Sequence, residues 1–181
     1  MLNGLRQLTD GIEKGRMKAD FGLIAAMIEY IDKLPEKVHH PKENDYLFAR
    51  LGVRCPEALP VIARLEADHA RGETRIRALE AAAETFRRDG PPAFAAFHAA
   101  VLGYIDEEWQ HMNTEEHEIF PLAEQHLLPE DWAVIDAAFL ANDNPWEGAA
   151  GEYAQLFSKI VNLAPAPIGL GRVERAGCAL R

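Results

Sequence analysis

Cysteine is scarce in this chain of 181 residues, which contains only Cys55 and Cys178. Two cysteines cannot build a disulfide framework, and these two do not form a Cys-x-x-Cys pair, so we predict a reducing, cytoplasmic environment. Long apolar runs are also missing. The N-terminus has no apolar signal core, and no stretch approaches the roughly 18 apolar residues that a membrane span requires. We therefore expect a cytoplasmic protein that does not insert into a membrane.

Basic residues are outnumbered as well, with 19 Lys and Arg against 29 Asp and Glu and a formal net charge of -10. Binding to nucleic acid needs clustered Lys and Arg, whereas the basic residues here are scattered among more numerous carboxylates. The composition therefore argues against a nucleic-acid partner. An excess of carboxylates is suited to binding cations.

Strand signals are nearly absent, while Ala, Leu, Glu and Arg dominate long segments whose apolar residues recur three and four positions apart. This periodicity predicts an all-α fold, an up-down four-helix bundle with additional C-terminal helices. The bundle helices are expected over residues 2–14, 20–51, 60–89 and 91–127, with kinks at Pro35, Pro41 and Pro121. Two further helices are predicted over 129–139 and 152–163. We expect one domain over 1–168 and a loosely ordered tail over 169–181.

Four of the seven histidines precede a glutamate by four positions: His126, before Glu130, and three whose glutamate lies on the same predicted bundle helix. On a helix this spacing places an imidazole and a carboxylate one above the other, where both can reach one cation or bridge two. The spacing alone is a weak signal in a chain that is rich in glutamate. The pairs are His39 with Glu43, His69 with Glu73, and His111 with Glu115.

Helical phase separates these histidines from their neighbours. At about 100° per residue, His39 shares a face with the apolar residues of the second helix, whereas His40 points away. His69 and His111 share the apolar faces of the third and fourth helices in the same way. We therefore expect His39, His69 and His111 to project into the bundle. His40, like His98, His117 and His126, is interpreted as a polar core or surface residue.

The carboxylates are sorted by the same argument. Glu115 lies near the middle of an apolar face, while Glu116 turns outward. Glu73 is left open between a ligand and a solvated surface residue. A buried carboxylate is costly unless it is paired or bound to a metal, so three histidines with Glu43 and Glu115 on facing helices predict a common metal site.

Several short segments together resemble the hemerythrin-like, or HHE cation-binding, family, with a bacterial subgroup as the nearest pattern. They are HHPKE at 39–43, DH at 68–69, HMNTEE at 111–116 and FPL at 120–122. The resemblance covers about residues 1–168. It implies a four-helix bundle that holds two irons, with terminal ligands at His39, His69 and His111 and bridging carboxylates at Glu43 and Glu115.

The resemblance also implies a ligand and a role. An iron site with open positions would bind dioxygen, nitric oxide or peroxide for sensing, storage or iron handling. The family usually supplies a further histidine from its first helix, and this sequence has none before His39. We therefore expect weak or incomplete iron binding, which an N-terminal extension carrying a histidine would improve.

Two other functions are compatible with the sequence. A ferritin-like di-iron oxidase or peroxidase uses Glu-x-x-His motifs, and the chain contains three, at residues 36–39, 66–69 and 108–111. A metal-free bundle that binds a partner or regulates it is the other alternative. The sequence does not determine the oligomeric state.

Overall fold

The computed structural model describes residues 1–141 and 149–171, and helices account for nearly all of this part of the chain. No strand occurs in these residues. The α-helices are α1 (Leu2–Glu13), α2 (Phe21–Ile31), α3 (His40–Lys42), α4 (Ala49–Arg54), α5 (Leu59–Asp89), α6 (Phe94–Thr114), α7 (Phe120–His126), α8 (Pro129–Leu140) and α9 (Ala149–Leu163). Helices α2, α3 and α4 form one continuous rod through two wide π-helical segments, π1 (Asp32–His39) and π2 (Glu43–Phe48). A third such segment, π3 (Glu115–Ile119), joins α6 to α7.

Local sequence signals explain where several helices begin and end. The Asp20 carboxylate accepts a hydrogen bond from the Leu23 amide at 2.9 Å and caps the start of α2. Gly90 ends α5 with a φ of 72°, in the left-handed region that glycine tolerates best. These two boundaries agree with the sequence-based prediction.

The second bundle helix continues through Pro35 and Pro41 in wide turns, and it ends at Arg54 instead of the predicted Leu51. A proline in a helix has no amide hydrogen to donate, and its ring collides with the carbonyl of the preceding turn. Wider turns with bonds between residues five apart relieve that collision without breaking the rod. The π segments therefore change the direction in which later side chains point.

The helices pack as a four-helix bundle with extra C-terminal helices, as the sequence predicts. Helix α1 packs against α6, α5 packs against both α2 and α6, and α9 lies against α2. Helix α8 contacts π2, and its start is held to α4 by Arg54, whose Nε lies 2.7 Å from Asp131.

The apolar core consists of two clusters. One contains Ile31, Ile76 and Ile105, and the other contains Leu65 and Ile119. Three long rods run through the bundle: α2 to α4, α5, and α6 to α7. On each rod, the segment between the two apolar clusters contributes buried polar side chains. Together with Arg75 and Tyr104, these side chains form a polar layer across the bundle. Its other members are Glu36, His40, Glu43, His69, Glu108, His111 and Glu115.

The end of the chain is only partly described. The Leu170 and Gly171 amides donate to the carbonyl oxygens of Val161 and Ala164 at 2.7 and 2.8 Å. Residues 172–181 of the predicted tail lie outside the described residues, so the domain division at 168 stays a prediction. No helix in the described part of the chain is both long and apolar enough to cross a membrane.

The second apolar cluster supports a stability prediction. Leu65 is fully buried one turn before His69, whereas Leu59, on the same helix, is 51 % exposed. Leu65→Ala leaves a cavity and should lower the free energy of unfolding by about 2–5 kcal/mol. Leu59→Ala should change it by about 0.5 kcal/mol or less. Urea denaturation followed by circular dichroism measures both values, and equal effects would contradict this description of the core.

Candidate metal centre

The polar layer brings together side chains from three separate rods. His69 projects from α5, His111 from α6, and their Nε2 atoms lie 3.0 Å apart. Glu43 Oε2 lies 3.6 Å from His69 Nε2, and Glu115 Oε1 lies 3.2 Å from His111 Nε2. All four side chains are at most 7 % exposed. Two imidazoles and two carboxylates therefore face one small volume in the interior.

The distances and the unmet polar atoms of this group fit a metal ion. Metal–nitrogen bonds are about 2.1 Å, so neighbouring ligands of an octahedral ion are about 3.0 Å apart. Glu43 Oε2 and Glu115 Oε1 are buried and receive no hydrogen bond. A buried carboxylate oxygen without a donor is costly, and a cation would stabilise both oxygens at once.

His69 is held as a neutral imidazole. Its Nδ1 donates a hydrogen bond to the side-chain oxygen of Asn44 at 2.8 Å, which leaves the lone pair on Nε2 directed towards His111. Burial and the charges of His40 and His111 lower the pKa of His69 to about 2. An imidazole that stays unprotonated can donate to a metal at any physiological pH.

The pKa values of His111 and Glu43 are also shifted by burial and by the neighbouring charges. Burial would lower the pKa of His111, but the Glu115 and Glu43 carboxylates outweigh it and raise the pKa. Burial raises the pKa of Glu43, and the neighbouring Glu115 charge adds to this shift. The two carboxylates destabilise one another as anions, which is the situation that a bound divalent cation relieves.

The expectation that His39 faces the core and His40 faces outward is wrong. His40 is 5 % exposed, and its ring stacks on that of His69 with centroids 4.2 Å apart. The His39 side chain is 50 % exposed. Each of the eight residues of π1 turns the helix by less than the roughly 100° of a regular α-helix. At the end of π1, His40 therefore points in the inward direction that a regular helix would give to His39.

His39 nevertheless remains beside the group. Its Nε2 lies 3.0 Å from Glu43 Oε1, and that contact raises the pKa of His39 against the effect of burial. The donor atoms that converge within 4.8 Å come from His40, Glu43, His69 and His111. Ligation by the five residues predicted from the sequence, His39 included, stays a prediction.

The polar layer extends beyond this group to residues that the sequence analysis did not assign to the site. The Tyr104 hydroxyl donates to Glu36 Oε1 at 2.8 Å, and Arg75 Nη2 donates to Glu108 Oε1 at 3.0 Å. The Glu36 carboxylate fills the space beside Gly72, where any Cβ would collide with it. The Glu-x-x-His motifs contain Glu36 and Glu108, but Arg75 has no comparable signal.

The remaining candidates lie apart from the centre. Glu116, Glu73 and Glu66 are exposed, as is His117. The phase argument that chose Glu115 over Glu116 therefore gave the correct direction for both. His98 is buried near the other end of α6, where its ring nitrogens lie 3.2 Å from Asp10 and 3.3 Å from Glu13.

A polar surface cavity of about 300 Å³ lies between α5 and α6. His111 forms part of its wall, and the Nδ1 atom of this ring has no hydrogen-bond partner. Asp68, which pairs with Arg71, lies 3.9 Å from the same nitrogen. The volume of this cavity is sufficient for a small molecule.

Comparison with known proteins agrees with this geometry. The model of the family described as hemerythrin HHE cation binding domain matches residues 1–123, which include every side chain of the polar layer. No curated protein and no solved structure gave a significant match. The match covers more than half of the chain, so this chain belongs to the hemerythrin HHE cation binding domain family.

Proposed function

We propose that this protein binds non-haem iron in the polar layer and uses it to bind or sense dioxygen, nitric oxide or peroxide. The family supports a cation-binding role. Iron is the metal that the resemblance implies, and the mixed imidazole and carboxylate donors suit it. The small ligand is inferred from the size of the cavity that reaches His111.

One observation carries the proposal. The Nε2 atoms of His69 and His111 lie 3.0 Å apart, and two buried carboxylate oxygens without hydrogen-bond donors lie beside them. A purely structural polar layer would satisfy those oxygens with donors from neighbouring residues. Glu43 and Glu115 are therefore better explained as ligands than as structural residues.

The protein's own residues would bind the iron and hold the side chains around it in position. His69 is fixed by Asn44, while Glu43 supplies negative charge beside His69 and Glu115 supplies it beside His111. Phe48 stacks on the His69 ring at a centroid distance of 5.8 Å and shields that side from water. Ferrous iron, when bound there, would supply the redox chemistry that small oxidants and nitric oxide require.

A ferritin-like oxidase has weaker support. Its motifs require Glu-x-x-His pairs whose carboxylates face the metal. Glu66 is exposed and so cannot contribute. Glu36 and Glu108 are buried, but each accepts a hydrogen bond from another side chain.

The direct test uses protein purified without air and incubated with ferrous iron. We expect iron to stay bound after desalting, and we expect new visible absorption when dioxygen, nitric oxide or peroxide is added. Iron content and absorption spectra measure both properties. Protein that retains no iron would indicate a metal-free regulatory bundle, and iron without any spectral response would contradict the proposed ligands.

Two adjacent glutamates provide a matched pair of variants. Glu115 is buried beside His111, whereas Glu116 is exposed. Glu115→Ala should reduce bound iron severely, because it removes a carboxylate donor from the group. Glu116→Ala should leave iron content close to that of the unmodified protein. Iron per chain after desalting distinguishes the two, and equal losses would show that Glu115 has no special role.

The hydrogen bond that orients His69 gives a second pair. Asn44→Ala removes the acceptor of His69 Nδ1 without touching a donor atom of the group. Loss of such an orienting partner lowers metal affinity by about 10–100-fold. Asp45→Ala, at an exposed neighbouring position, should leave affinity unchanged. Competition with a coloured chelator measures both affinities, and wild-type affinity in Asn44→Ala would refute the orienting role.

A further inference from the structure

The polar layer contains four carboxylates that differ in what they contact. The side chains of Glu36, Glu43, Glu108 and Glu115 are each at most 7 % exposed. Glu36 and Glu108 accept hydrogen bonds from Tyr104 and Arg75, as described above. Glu43 and Glu115 each keep one buried oxygen without a donor. The layer therefore has one pair of carboxylates already stabilised by the protein and one pair that is not.

Arg75 is the cation of the stabilised pair. Its side chain is 15 % exposed, and its guanidinium bonds Glu108 at 3.0 Å and Glu107 at 3.2 Å. The same group lies over the Tyr104 ring, 5.8 Å from the centroid. Arginine keeps its charge at all relevant pH values. Glu36 and Glu108 therefore share a permanent positive charge that no change of conditions removes.

The positive charge of Arg75 affects the pKa of Glu36, in the stabilised pair, and the pKa of His69, in the candidate metal centre. Burial would raise the pKa of Glu36, but its contacts with His40 and Tyr104 and the charges of His40 and Arg75 lower it instead. The Arg75 charge also contributes to the low pKa of His69. A divalent cation placed between Glu36 and Glu108 would have to approach this guanidinium closely. Repulsion between like charges in a dry interior opposes such a position.

We propose that the Arg75 guanidinium takes the place of a second metal ion, so that this chain holds one iron, within the group formed by His40, Glu43, His69 and His111 with Glu115 beside His111. The inference rests on the proposed iron-binding function and concerns how many ions the layer accepts. It differs from the two irons that the family resemblance implies. Glu36 and Glu108 are then structural partners of Arg75 and Tyr104 and do not contact the metal.

The test counts ferrous ions per chain by native mass spectrometry after anaerobic titration to saturation. We expect one ion in the unmodified protein. Arg75→Gln removes the fixed charge, so Glu36 and Glu108 should take up a second ion. Arg75→Lys keeps a positive charge and should still hold one. Arg87→Gln removes an exposed arginine from the same helix, away from the layer, and should also hold one.

Any other number of bound ferrous ions would lead to a different conclusion. Two ions in the unmodified protein would overturn this inference and leave the proposed function standing, whereas no ion would overturn both. One ion in a folded Arg75→Gln would show that Arg75 does not exclude the second ion. If that variant fails to fold, Glu108→Gln decides. It should retain the single ion, and its loss would show that Glu108 is a ligand.

Discussion

Four carboxylates buried at one level of the bundle are the constraint on which the rest of the structure depends. Glu36, Glu43, Glu108 and Glu115 lie between two apolar clusters, where charged groups are unstable unless they are compensated. The fold offers compensation of different kinds. The Arg75 guanidinium and the Tyr104 hydroxyl bond Glu108 and Glu36, whereas histidine rings lie beside Glu43 and Glu115.

The wide turns of the second rod make this layer possible. A regular α-helix would turn His39 inward and leave His40 in solvent, whereas π1 reverses the two. His40 can then stack on His69 while His39 stays at the rim beside Glu43. The prolines that force the wide turns thus determine which imidazole lines the interior. A π-helical segment at a site of this kind agrees with the general association of such segments with function.

Most of the fold could be predicted from sequence, because the helices are long, periodic and bounded by residues such as Asp20 and Gly90. The direction of Glu115 could also be predicted, since α6 is regular up to Thr114. His39 and His40 could not, because the argument assumed a constant turn through Pro35. Arg75 and Asn44 could not be predicted either, because each bonds a site residue on a different rod, and contacts between distant segments leave no local pattern. The burial of Glu36 likewise depends on the missing side chain of Gly72, 36 positions later in the chain.

On the proposed function, the charged layer between the two apolar clusters would also link folding to metal supply. An ion that binds only the folded chain adds about 2.7 kcal/mol to its stability when free metal is a hundredfold above the dissociation constant. Small domains have only about 5–15 kcal/mol in total. The level of free iron would then set the fraction of molecules that open enough for a protease to cut. Through this linkage, the lifetime of the chain would itself report how much iron is available.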